Sequence, residues 1–379
     1  MTRGWSRRGW RGTRAIAVGV SVFAIGACTE EPTAPVEPEP ELHGAGPLGN
    51  LLTWDLPLRS AAQLALPRRA RPCDRRLRHL RDDEPHREFE FWVGDWNVTN
   101  VNGVPIGTNI VTSELDGCLI QEHWTASNGS RGLSLNAYDR ETGMWHQTWA
   151  SQVPQGVFGR LRPSGNLVDG KLVLTGTRDA TGGFTFQDTW TWEENEQGQV
   201  IQTALAEVPA LNFVSSFTGT YTRGAVTPAA PLSQGFCAEG QVGGETRQAD
   251  FLVGSWKVVG EHGLRLGTSV IESDVDDCLV VEHFESRGGL KAISYTYIDL
   301  WVERWFRTYV DSEGERLELS GGFEDGALVL RGTEDTRRGP VEVTITWRPE
   351  GGKVKQVWEV SQDGGATWER TATLVYERQ

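Results

Sequence analysis

Phe91-Trp92-Val93-Gly94-Asp95-Trp96 returns later in the chain as Phe251-Leu252-Val253-Gly254-Ser255-Trp256, displaced by 160 residues. The same displacement, without a gap, carries Gly103 onto Gly263, Gly107-Thr108 onto Gly267-Thr268 and Cys118-Leu119 onto Cys278-Leu279. It also carries Glu122-His123 onto Glu282-His283, Asp139 onto Asp299 and Trp145 onto Trp305. Further on it shortens by a few residues, so that Asp169-Gly170 meets Asp325-Gly326, Trp192 meets Trp347, and Tyr221-Thr222-Arg223 meets Tyr376-Glu377-Arg378. A register kept over so many rare residues marks an internal duplication, and a repeat of this length decides the architecture before any local reading does. Two domains follow, at 87–223 and 247–379, joined by an Ala/Pro/Gly-rich linker at 224–246.

Within each copy the pattern is short strands broken by turns, with no helical period. Val341 to Trp347 alternates apolar and polar residues, Val354 to Val360 does the same, and Glu350-Gly351-Gly352 between them is a hairpin signal. The 45 Gly and 17 Pro of the 379 residues agree with many turns. Counting such segments predicts an all-β fold with about ten strands per copy. A meander of that size with one apolar face closes most economically into an up-and-down antiparallel barrel, which removes its edges. An open sandwich is the alternative.

The first 28 residues read as an export signal: a basic stretch, then an apolar run from Ala15 to Ala27 too short to span a bilayer as a helix. Ile25-Gly26-Ala27-Cys28 looks like a lipobox, which implies a signal peptide at 1–27 and lipidation of Cys28, and hence a cell-envelope location with a lipid anchor in the membrane. An ordinary signal peptide with a chance cysteine is the alternative. Residues 28–86 read as a largely disordered tether, Pro/Glu-rich at first and Arg-rich later. The formal net charge is −14, and loss of Arg3, Arg7, Arg8, Arg11 and Arg14 with the leader takes the mature chain to about −19, which repels polyanions and excludes nucleic acid as a partner.

The Gly-x-Trp that opens each copy, Gly94-Asp95-Trp96 and Gly254-Ser255-Trp256, resembles the opening of calycins, the lipocalin and fatty-acid-binding group. The resemblance implies a Trp that closes one barrel end and an Arg of the last strand packed over it, which places Trp96 with Arg223 and Trp256 with Arg378. Each copy also resembles an uncharacterised family of secreted bacterial calycin-like (lipocalin-like) domains. Its marks are the Phe89-to-Trp96 opening, a Cys-x-x-x-Glu strand, Tyr138 to Gln147, and Asp363 to Trp368. The second copy departs from the pattern at Ala249 and at Phe306-Arg307, and the first lacks the late Gly-Gly-x-Thr-Trp hairpin. The resemblance implies a fold and little chemistry.

Besides Cys28 there are four cysteines, and the economical pairing is Cys73–Cys118 with Cys237–Cys278. Four free thiols are the alternative. In the strand that holds Glu122-His123, adjacent residues point to opposite faces, so one side chain of the pair faces the interior and the other does not. Ile120, Glu122 and Trp124 share a face, repeated by Val280, Glu282 and Phe284. Two strands later Trp145, Gln147 and Trp149 share a face, repeated by Trp305, Arg307 and Tyr309. Aromatic residues with a few polar groups suit a small-molecule cavity. Glu282 and Arg307 are placed to pair inside the second barrel, whereas Gln147 leaves Glu122 without that cation. Core packing is the plainer reading of the same residues.

Ser361 to Trp368 matches an Asp-box, which here reads as a tight turn between the last two strands rather than a glycosidase signature. No Gly-x-Ser-x-Gly elbow, phosphate loop, His-x-x-x-His or Cys-x-x-Cys occurs, so neither an enzyme nor a metal or cofactor is expected. The expected function is that of an exported binding protein for a small apolar or amphipathic ligand. The alternatives are an envelope protein–protein interaction module with filled barrels, and a haem protein or enzyme that uses His123 or His283 from inside a barrel.

Overall fold

In the computed structural model the alternation becomes twenty antiparallel strands in two closed barrels of ten. The structure describes residues 85–151, 162–180, 184–231, 237, 244–300, 302–336 and 339–379. The signal peptide, Cys28, Cys73 and almost all of the tether lie outside the described residues. In the first barrel β1 (Gly94–Asn100) pairs with both β2 (Pro105–Glu114) and β10 (Phe213–Arg223), which closes the meander. In the second, β11 (Gly254–Gly260) pairs with β12 (Arg265–Asp274) and β20 (Glu369–Arg378) in the same way. Closure pairs every strand and leaves no sheet edge exposed.

One end of each barrel is shut by the opening motif. Trp96 is fully buried and its indole N–H donates to the Trp92 carbonyl at 2.8 Å; Trp256 donates to the Leu252 carbonyl at 2.7 Å. The Arg223 guanidinium lies 4.2 Å from the Trp96 ring centre and donates to the carbonyls of Val93 and Phe91 at 2.8 and 2.9 Å. Arg378 lies 4.5 Å from the Trp256 ring centre and donates to the Val253 carbonyl at 3.3 Å. A Cβ on Gly94 would stand 2.2 Å from an Arg223 guanidinium nitrogen, so the close approach of arginine to backbone is what requires glycine there. This is the Trp–Arg packing that the resemblance implied.

Inner faces are apolar at this end. Phe89, Trp92, Trp96, Trp145, Trp192 and Tyr221 fill the first barrel, and Leu252, Trp256, Trp305, Trp347 and Tyr376 the second. Side chains such as Asp95 and Lys171 point outward and are exposed. Apolar inside and polar outside is the reverse of a transmembrane barrel, whose outer band meets lipid.

The outer faces are not all solvated. β3 (Leu119–Ala126), β4 (Arg131–Asp139) and β5 (Met144–Ser151) of the first barrel pack against β13 (Leu279–Ser286), β14 (Lys291–Asp299) and β15 (Arg304–Asp311) of the second. Leu133, Leu135, Ala137 and Ala150 meet Val281, Ile293, Tyr295 and Val310 in an apolar layer. Residues related by the 160-residue displacement face each other: Thr148 and Thr308 share a hydrogen bond of 3.0 Å. That self-complementary pattern is the mark of an isologous contact, here between two halves of one chain. Gln121 donates to the Tyr295 hydroxyl at 2.7 Å and Arg131 to Asp276 at 3.0 Å across the same layer.

Cys237 and Cys278 form a disulfide, with Cα atoms 5.0 Å apart. Cys118 is disulfide-bonded too, and Cys73, its expected partner, lies outside the described residues. Two predicted turns appear as read. Gly351 and Gly352, with φ of 57° and 81°, join β18 (Gly339–Glu350) to β19 (Lys353–Ser361). In the Asp-box turn the Asp363 carboxylate accepts from the Thr367 amide, the Thr367 hydroxyl and the Ser361 hydroxyl, which hold its pKa down at about 2.

Candidate binding site

The period of two in β3 and β5 fixes what enters each barrel. Glu122 and Gln147 are buried on the inner face of the first barrel, Glu282 and Arg307 on that of the second. They form a polar layer halfway along, between the aromatic plug and the opposite, open end. In the first barrel Glu122 accepts from the Asn109 amide at 2.9 Å and the Ser134 hydroxyl at 2.8 Å. Gln147 donates to Asn136 at 2.9 Å, and the Tyr221 hydroxyl donates to Gln202. Burial pushes the Glu122 carboxyl up to about 7, against the smaller downward pull of those two hydrogen bonds.

The second barrel solves the same problem with a charge. Arg307 donates to Glu282, to Ser294 at 2.7 Å and to Thr296 at 2.6 Å, and its guanidinium lies 5.1 Å from the Trp347 ring centre. Ser269 and the Tyr376 hydroxyl donate to Glu282 at 2.7 and 3.2 Å. An Arg–Glu pair in a dry interior is tolerable because its remaining donors and acceptors are met.

Beyond the polar layer the barrels differ. In the first, the inner face carries Trp124, Trp149, Trp190 of β8 (Phe184–Glu194), Ala204 of β9 (Val200–Val208) and Phe217, and all five are only half-buried. Gly107 and Gly132 stand beneath two of the rings: a Cβ would lie 2.6 Å from Trp124 and 2.3 Å from Trp149. The glycines therefore let both indoles lie flat against the wall. Register places Ile345, Val343, Val360 and Leu374 of the second barrel where the first has Trp190, Asp188, Ala206 and Gly219. Those four are buried, with exposures of 1%, 0%, 3% and 4%. Phe284 and Tyr309 at the rim are half-buried, with the Tyr309 hydroxyl on Asp311 at 3.1 Å. The open half of the first barrel thus keeps Trp190 and Phe217 half-buried where the second has buried Ile345 and Ala372, and its inner wall also holds the buried Arg178–Asp188 ion pair, with the Arg178 guanidinium 4.6 Å from the Phe186 ring centre.

Trp145 and Trp305 belong to the closed end. Trp145 packs edge-on to Phe89 at 5.7 Å, and Trp305 edge-on to Phe323 at 5.9 Å. His123 and His283 point outward and line a cleft of about 520 Å³ between the barrels, with Arg131, Asp274 and Asp276. Burial lowers the His123 pKa, and Asp274 and Glu114 oppose that while His283 adds to it. Neither histidine reaches a barrel interior, so neither can serve the alternative of a haem protein with an inward histidine. Among the described residues no three His, Cys, Asp or Glu side chains stand together as a metal site.

Sequence reasoning found the polar layer and missed two things. One is Asn109, Ser134 and Asn136, whose partners come from neighbouring strands in a register that one chain of letters does not show. The other is the buried outer face of β3 to β5, whose signal is visible afterwards as Leu133, Leu135 and Ala137 on the face opposite Ser134 and Asn136.

No protein-family profile and no curated protein matches the chain. Among solved structures it is similar to a protein of Bacteroides fragilis put forward as an outer membrane protein, at 10% identity and a TM-score of 0.18, over 76% of this chain and 95% of that one. It is also similar to a protein with unknown function from the DUF3598 family of Nostoc punctiforme, at 10% identity and a TM-score of 0.16, over 78% of this chain and all of the other. With scores this low neither likeness informs the function of the chain.

Proposed function

We propose that the protein is an exported, envelope-tethered, non-enzymatic binding protein whose first barrel holds one small apolar or amphipathic molecule. The ligand lies in the open half, its apolar part against Trp124, Trp149 and Trp190 and its polar end toward Glu122 and Asn109. The second barrel, with its internal Glu282–Arg307 pair, serves as a packed partner that buttresses the first. One observation carries the reading: inner-face Trp190 and Phe217 in the open half of the first barrel are half-exposed, while their counterparts Ile345 and Ala372 in the second are buried. Apolar walls with a few orienting polar groups are the usual make-up of a small-molecule site.

Native mass spectrometry of protein purified from its envelope tests this. A co-purifying mass, lost on denaturation and on Trp149→Ala, is the expected result; apo protein that takes up no apolar compound would count against it. The tether through Cys28 is read from the lipobox alone, and an unmodified residue other than Cys28 at the mature N-terminus would remove it. A second reading, an interaction module, draws on Leu211 and Val214, which are 55% and 58% exposed at the β9–β10 turn.

A further inference from the structure

We infer that the first barrel selects a ligand whose polar end is a cation, an alkyl or aryl ammonium, because Glu122 lacks the positive partner that the second barrel supplies from its own wall. The inference rests on the binding role proposed above and specifies the ligand of that site.

The duplication makes the comparison internal. Glu122 and Glu282 occupy equivalent places on equivalent strands, as do Gln147 and Arg307. In the second barrel the guanidinium supplies charge and donors to Glu282, Ser294 and Thr296 together. In the first, every donor near Glu122 is neutral, and the amide of Gln147 is spent on Asn136. The Tyr221 hydroxyl goes to Gln202. Asn109 is 0% exposed, turns its N–H toward Glu122, and leaves its Oδ1 buried with no hydrogen-bond partner. A buried polar atom in that position is costly until something donates to it.

The layer is therefore rich in acceptors and short of donors and of positive charge. An alcohol brings one donor; an ammonium brings three and a full charge. Opposite charges attract far more strongly in a water-poor interior than in solution. On the way in, the ammonium passes the faces of Trp124 and Trp149, which attract cations. The acidic net charge of −14 raises the local concentration of cations around the whole molecule. Burial holds the Glu122 carboxyl at about 7, so the empty site is partly protonated at neutral pH and an arriving ammonium displaces that proton. The groups around Glu122 are Asn109 on β2, Ser134 on β4, Gln147 on β5, Gln202 on β9 and Tyr221 on β10. Tyr221, the one titratable group among these, is pushed well above its usual value by burial and by Glu122, so it stays neutral in the range concerned.

The test is equilibrium binding of three ten-carbon probes, decylamine, decanol and decanoate, to the mature protein, followed by tryptophan fluorescence. At pH 8 decylamine should bind at least about tenfold tighter than decanol, with decanoate weakest. The amine advantage should shrink as pH falls from 8 to 6, while decanol binding stays constant. Glu122→Gln and Gln147→Arg should each bring the amine down to the level of the alcohol; the circular dichroism spectrum and melting temperature of each variant report that it is folded. Equal binding of amine and alcohol to the unaltered protein at every pH, or an amine preference that survives Glu122→Gln, would overturn the inference and leave the binding role standing. If none of the three probes binds, the binding role fails and this inference with it.

Discussion

A single carboxyl group shows how environment rewrites a residue. Glu122 is held near 7 by burial, and a carboxyl raised above its unfolded value binds its proton more tightly in the folded state. Folding is therefore helped by this group below the unfolded pKa, and that help is lost as pH climbs through about 7. Urea denaturation at pH 4 and 8.5 should show Glu122→Gln more stable than the parent at the higher pH by about 3 kcal/mol, with the difference nearly gone at the lower one. A constant difference would mean that the carboxyl is not the titrating group. The inward direction of Glu122 was legible from strand alternation alone. Its pKa was not, because Asn109 and Ser134 are brought beside it by the pairing of β2 and β4 with β3.

At the scale of strands and turns, duplication was the most legible feature. Gly-x-Trp and the terminal arginine found each other in space because the last strand pairs with the first. Gly94→Ala should force Arg223 off its carbonyls and lower stability by about 2–4 kcal/mol, read as a drop in melting temperature. The Cys237–Cys278 bridge closes a separation of 41 residues, and the chain-entropy relation assigns it about 4 kcal/mol. Replacing both cysteines with serine should cost a comparable amount in chemical denaturation, with the second barrel losing structure first. Bridge and turn residues announce themselves in sequence by type. The layer of Trp124 over Gly107 and Trp149 over Gly132 does not, since each glycine matters only for the ring that a neighbouring strand lays across it.

For the whole molecule, the unexpected element is how the barrels share a wall. A linker at 224–246 says nothing of contact between the domains it joins, yet Leu135, Ile293, Tyr295 and Val310 are buried between them. Outward apolar positions in a strand look like ordinary tolerance of an apolar surface, and only the partner sheet reveals their purpose. Ile293→Asp should place an unpaired charge in that layer and uncouple the barrels. Small-angle scattering should then report a larger radius, and thermal melting should split into two transitions. An unchanged radius with one transition would show that the shared wall is dispensable.

The central claim is that the first barrel takes up a small apolar ligand and the second does not, and the most direct check is the stoichiometry of an environment-sensitive apolar dye such as N-phenyl-1-naphthylamine. Saturable binding of about one dye per chain is predicted. It should be abolished by Gly132→Leu, which drives the Trp149 ring into the lumen, and retained in Ala292→Leu at the equivalent place in the second barrel. No saturable binding, or binding that survives Gly132→Leu and is lost in Ala292→Leu, would contradict the account.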